Sequence, residues 1–168
     1  QAESLSRRLA RWPISAVCSS PLRRAQKTAE IVAQPHAIAV EGVEELGEMR
    51  IGAWEGMSAV DIAARYPDRW KTWRANPGDF RMPGGERLGE VRERAVRAFD
   101  RITARSEGQI IVAVTHDVVV GLLTAHSLGS GLEIYRRLEV GNASLTILER
   151  DGDRRRLRVM NDTAHLEK

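Results

Sequence analysis

The feature that most narrows the fold is the run Gln109–Thr115 (QIIVAVT), which passes almost directly into a helical stretch, Asp117–Leu128, ending at Gly129. A continuous β-branched run of this kind suits a strand covered on both faces, and such strands belong to parallel sheets flanked by helices. The pattern has an earlier counterpart. Ile14–Ser19 (ISAVCS) reads as a buried strand, and a helix with Pro21 in its first turn follows to about Ala33, with Ser20 as N-cap candidate and Pro35 closing it. Val40–Gly56 reads as a weak strand and a loop, and Ser58 opens a helix, Ala59–Tyr66, that Pro67 stops. A long amphipathic helix, roughly Arg87–Arg105, keeps Leu88, Val91, Ala95, Ala98, Phe99 and Ile102 at helical spacing. Strand–helix alternation gives an α/β class with a largely parallel sheet. Ser144–Arg150 and Arg155–Met160 alternate around Asp151-Gly152, a hairpin expected to add antiparallel edge strands.

At 168 residues with 42% hydrophobic and 29% charged side chains, the chain has the size and composition of one globular domain, spanning 1–168. The one cysteine, Cys18, excludes a disulfide framework and any multi-cysteine metal site. No apolar run approaches a membrane span, and no His/Asp/Glu cluster has zinc or magnesium spacing, so neither a membrane nor a metal cofactor is expected. The net charge of +3 does not imply nucleic acid, and Arg154-Arg155-Arg156 lacks interleaved aromatics, so it reads as a solvated hairpin strand. Only Lys27, Lys71 and Lys168 are lysines, so the cationic side chains are almost all arginine, the planar partner of phosphate and carboxylate. The first residue is Gln1, in what reads as the middle of a helix with Leu5 and Leu9 four apart, so the expectation is that a segment precedes it. The expected location is cytoplasmic, with a signal peptide ahead of Gln1 left open.

Two strand-to-helix junctions could carry chemistry: Ser19-Ser20-Pro21-Leu22-Arg23-Arg24 and Thr115-His116-Asp117. In open parallel sheets ligands bind at the carboxyl ends of strands, where helix N-termini offer free N–H groups to an anion. An arginine and a histidine at two such ends would make a phosphate site. Ser19–Ala25 with Thr28-Ala29-Glu30, Leu46-Gly47-Glu48 with Gly52, Trp54, Glu55 and Gly56, Pro83-Gly84-Gly85-Glu86, Val114-Thr115-His116, Asn142–Leu145 and Asn161–Leu166 follow in order along the chain. Together these motifs resemble the histidine phosphatase superfamily, the phosphoglycerate mutase-like proteins, and its small-phosphatase branch in particular.

The resemblance implies a three-layer α/β/α fold with a mostly parallel mixed sheet. It also implies a metal-independent phosphomonoester hydrolase acting through a phosphohistidine. Arg24, rather than its neighbour Arg23, would clamp phosphate oxygens. His116 would donate to the phosphoryl group, and Glu48 would be general acid and then base, with Glu55 as its nearest rival. Trp70, Trp73 and Phe80 would form an apolar lid over the substrate or else pin the Asp68–Pro83 excursion to the core. The expected partner is a small-molecule phosphate ester, with a homodimer also entertained. His165 is expected to make a structural hydrogen bond.

Two departures stand out. Asp117 follows His116 where many relatives carry glycine, and it is expected to point away from the phosphate and cap the next helix. The Arg-His-Gly motif that carries the family's nucleophile does not occur in the sequence. The resemblance puts that motif upstream of Gln1, on a strand in the middle of the sheet. The 168 residues alone are therefore expected to be inactive and to leave a gap, a borrowed strand or a rearranged order beside Ile14–Ser19 or Gln109–Thr115. A non-catalytic phosphate-binding protein and a mutase are the alternative readings.

Overall fold

The structure is a computed structural model that describes residues 1–166. In chain order its elements are α1 (Ala2–Leu9), β1 (Ile14–Ser19), α2 (Arg23–Ala33), β2 (Val40–Gly42), α3 (Ala59–Arg65), α4 (Pro67–Ala75), α5 (Leu88–Ala104), β3 (Ile110–Val114), α6 (Asp117–Ser127), β4 (Leu145–Asp151) and β5 (Arg154–Asp162). β2, β1 and β3 form a parallel sheet in that order, with Val17 opposite both Val40 and Val112, and Ser19 opposite both Gly42 and Val114. Parallel pairing brings the carboxyl ends of β1 and β3 to one edge, and α2 and α6 both start there.

Alternation along the strands divides the core between two faces. Val17, Val112 and Val114 pack with Leu5 and Leu9 of α1 and with Ala29, Val32 and Ala33 of α2. Cys18 and Ile111 face Val91, Ala95 and Ala98 of α5 and Val119 and Leu122 of α6. This is the α/β/α layering. Ile14 shares the face of Val17, three positions on, because the register slips between Ile14 and Ala16. Among the described residues no helix is long and apolar enough to cross a membrane.

Four details differ from the sequence reading. The terminal hairpin does not extend the parallel sheet; β4 and β5 form a separate antiparallel pair. Side chains hold it in place: Arg150 Nη1 donates to Asp100 O at 3.1 Å and Thr103 Oγ1 at 2.8 Å on α5, and Arg155 pairs with Asp100 at 2.8 Å. Secondly, β3 is only half covered, with Ile110 37% exposed and no residue of the strand fully buried. Its backbone pairs with β1 alone among the described residues, and Val112 and Val114 share one apolar cluster with Leu145. Thirdly, α2 begins at Arg23 with Leu22, which has no side-chain acceptor, at its N-cap; Ser20 lies two residues earlier and its hydroxyl meets His116. Finally, the 68–83 excursion contains a helix, α4, none of whose residues is buried.

Candidate active site

Ser20 N–H donates to Val114 O at 2.9 Å and ties the end of β1 to the end of β3. That link sets two side chains face to face. Arg24 lies in the first turn of α2, and its Nη2 is 3.1 Å from Nδ1 of His116, which immediately precedes α6. Both residues therefore sit where helix N-termini converge, an arrangement that favours an anion. His116 is 7% exposed, and burial first, then the Arg24 charge, lower its pKa from 6.5 to about 4.

Glu48 reaches the same place from the loop after β2. Thr115 Oγ1 donates to Leu46 O at 2.6 Å and so fastens this loop to the end of β3. The Glu48 carboxyl accepts from the Met49 N–H at 2.7 Å and lies within hydrogen-bonding reach of the Asp117 carboxyl. Burial, then Asp117, push its pKa up to about 8 against the opposing pull of Arg24. Two close carboxylates cannot both ionise cheaply, so Asp117 adds to burial in keeping the proton on Glu48. Asp117 thus does not point away from the site as its sequence context suggests; as the first residue of α6 it turns its carboxyl toward Glu48. Glu55, the rival acid, is exposed.

A buried strut that the sequence reading passes over supports the acid loop. Arg94 of α5 grips Glu86 with both arms of its fork, Nε to Oε1 at 2.9 Å and Nη2 to Oε2 at 3.1 Å. Its remaining donors go to the carbonyls of Glu45 at 2.6 Å, Gly47 at 2.7 Å and Glu48 at 3.1 Å. Glu86, 5% exposed, also accepts from the Arg50 N–H at 2.9 Å. Two glycines let the chains approach this closely. A Cβ at Gly52, where φ is +55°, would lie 2.1 Å from Pro83 O, and one at Gly85 would lie 2.2 Å from Arg50 O. The only sequence signal was Gly84-Gly85-Glu86 ahead of a long helix.

The aromatic excursion is packed on the core through Trp54. Phe80 stacks on the buried Trp54 with centroids 5.5 Å apart, and Trp70 meets the same ring edge-on at 6.2 Å. Phe80, Trp70 and Trp73 are all partly buried against the core. Trp70 and Trp73 do line a groove of about 480 Å³ together with Arg74, Tyr135 and Arg136. The last two also line a cleft of about 160 Å³ that reaches Asp117. His165 is structural: its Nδ1 accepts from Arg8 at 3.1 Å and its Nε2 donates to Ala143 O at 2.9 Å. Among the described residues no group of three or more His, Cys, Asp or Glu is placed to hold a metal ion.

Residues 1–163 match the family profile of the histidine phosphatase superfamily (branch 1). The chain belongs to that superfamily. It is 35% identical over 157 residues to the bifunctional protein Rv2228c of Mycobacterium tuberculosis, covering 93% of this chain and 43% of that protein. The chain thus spans less than half the length of that relative. It is 28% identical over 166 residues to phosphoserine phosphatase 1 of Hydrogenobacter thermophilus, covering 99% of this chain and 79% of the other. The solved structure of Bacillus stearothermophilus YhfR superposes with a TM-score of 0.92 at 32% identity, covering 99% of this chain and 83% of that one.

The site has a signature in stability. A carboxyl whose pKa is raised in the fold contributes stability that is full below its ordinary value of 4.5 and lost as pH rises toward about 8. His116, lowered to about 4, contributes stability that is full above 6.5 and lost as pH falls. Above 6.5 only the Glu48 slope remains of the two. Glu48→Gln should therefore flatten the fall in stability between about 6.5 and 8, read from urea midpoints across pH. A slope unchanged by the substitution would mean that Glu48 is already ionised in the folded protein.

Proposed function

We propose that this protein is a metal-independent phosphomonoesterase that works through a phosphohistidine, and that a histidine on an upstream strand, paired with the open edge of β3, is the nucleophile. In the first step the histidine nitrogen attacks phosphorus and the bond to the leaving oxygen breaks. Glu48 gives that oxygen its proton. In the second step Glu48 takes a proton from water, the water oxygen attacks phosphorus, and the P–N bond breaks to release phosphate. Arg24 and His116 hold the non-bridging oxygens throughout, where positioning and charge do most of the work.

The observation that carries this reading is that Glu48 is held protonated beside the Arg24–His116 pair. A module that only binds phosphate has no use for a buried acid next to its clamp. The Trp70–Trp73–Arg74–Arg136 groove would take the organic body of a small phosphate ester. Relatives named as phosphatases, phosphoserine phosphatase 1 among them, support hydrolysis. The test is turnover of phosphate monoesters by protein that carries the upstream strand. Activity should survive a chelator and should be inhibited by orthovanadate, a mimic of five-coordinate phosphorus. Activity lost to the chelator and regained with a divalent ion would refute the mechanism.

A further inference from the structure

The hydrogen bonds around His116 fix where its proton sits. A guanidinium has no acceptor, so Arg24 Nη2, 3.1 Å away, can only donate to Nδ1. Nδ1 is therefore bare, and the proton of the neutral ring is on Nε2. Nε2 lies 2.7 Å from the Ser20 hydroxyl oxygen, which must accept it. The same oxygen accepts the Leu22 N–H at 3.2 Å. Ser20 is fully buried at the junction where β1 is tied to β3, so this acceptor is held by the sheet itself.

We propose that Ser20 is a positioning residue that holds His116 by Nε2–H, presents Nδ1 beside Arg24, and so couples the arrival of a phosphate group to the uptake of one proton at Nδ1. This rests on the reading of Arg24 and His116 as a phosphate clamp. In the free site Nδ1 is an acceptor facing a cation. Phosphate oxygens placed there need donors from both residues, so Nδ1 must gain a proton and part from Arg24. The incoming anion supplies the charge that makes the imidazolium favourable, and the Ser20 oxygen keeps the second N–H paired while the ring is charged. The charged and titratable groups that face His116 are Arg24 from α2, Asp117 from α6 and Arg94 from α5, with Glu48 beyond Asp117. None of them is a fixed acceptor for Nε2.

The test is ¹⁵N spectroscopy of the His116 ring in the full chain, with sulfate as probe because it does not itself titrate near neutral pH. Without sulfate at pH 7 the proton should be on Nε2 and Nδ1 should be bare. Saturating sulfate should protonate both nitrogens, and sulfate affinity should fall about tenfold per pH unit from about 4, the pKa of the free ring, up to the pKa of the sulfate-bound ring, as one proton is linked to binding. Ser20→Ala should weaken sulfate binding by about ten- to a hundredfold, the worth of one hydrogen bond to a charged donor, and should speed exchange of the Nε2 proton. Ser20→Thr should restore both. Sulfate binding that leaves Nδ1 bare overturns the proposal, as does Ser20→Ala binding with wild-type affinity. If sulfate never perturbs His116, the phosphate clamp itself is refuted. The ligand-free spectrum still judges the Ser20 contact, since an Nδ1–H ring, or an Nε2 proton indifferent to Ser20→Ala, overturns it.

Discussion

Glu48→Gln is expected to slow hydrolysis of alkyl phosphates by about 10²–10⁴-fold while costing nitrophenyl phosphate much less. The amide is nearly isosteric with the protonated carboxyl and can keep the Met49 N–H bond, so the loop should stay in place. What it cannot do is deliver a proton to a leaving oxygen. An alkoxide needs that proton, whereas a nitrophenolate leaves without it. The measurement is kcat for a series of esters graded by leaving-group acidity. An equal loss across the series would assign Glu48 to substrate positioning and return Glu55 to consideration as the acid.

Arg94→Ala is expected to cost about 3–5 kcal/mol of stability, the usual penalty for stranding one partner of a buried ion pair. The residue left behind is Glu86, 5% exposed, and the carbonyls of Glu45, Gly47 and Glu48 lose their shared donor at the same time. Against an ordinary domain stability of about 5–15 kcal/mol this is a large fraction. Arg94→Lys is the more informative variant. It keeps the charge but has one nitrogen in place of a planar fork, so it cannot grip Glu86 in bidentate fashion and reach the loop carbonyls as well. It should fold with a smaller loss yet leave Glu48 poorly placed, reducing kcat out of proportion to stability. Urea denaturation alongside kinetics separates the two, and a loss below about 1 kcal/mol for Arg94→Ala would show that the strut bears little.

The parts of this site that could be read from the sequence are those fixed by local pattern. Arg24 and His116 each follow a β-branched run and open a helix, so a parallel sheet brings them to one edge whatever the rest of the chain does. Glu48 could not be singled out this way, since Glu41, Glu44 and Glu45 offer the same side chain within a few residues and only family resemblance chose among them. Arg94 was invisible for the opposite reason: it sits on a helix studded with arginines, and its partners are 8 to 49 residues away. Ser20 and Asp117 were both read as helix caps because their local context suits a cap, yet each is claimed by a tertiary neighbour. The hairpin shows a similar limit. Alternation finds β4 and β5 but does not say whether an edge will find a ladder partner, and here arginine side chains dock the pair instead.

The rooting of the excursion in Trp54 makes the molecule modular. Phe80 and Trp70 stand on one buried indole, while the acid loop is held by Arg94. The stretch from Ser58 to Arg81 is therefore a cassette rooted on Trp54 and Ile62 and braced through Trp73 by Tyr135 and Arg136. A lineage could lengthen, shorten or re-face it to suit a new alcohol while inheriting the proton donor and the anion clamp unchanged. Chimeras that exchange only this stretch should transfer substrate preference without transferring the response to pH.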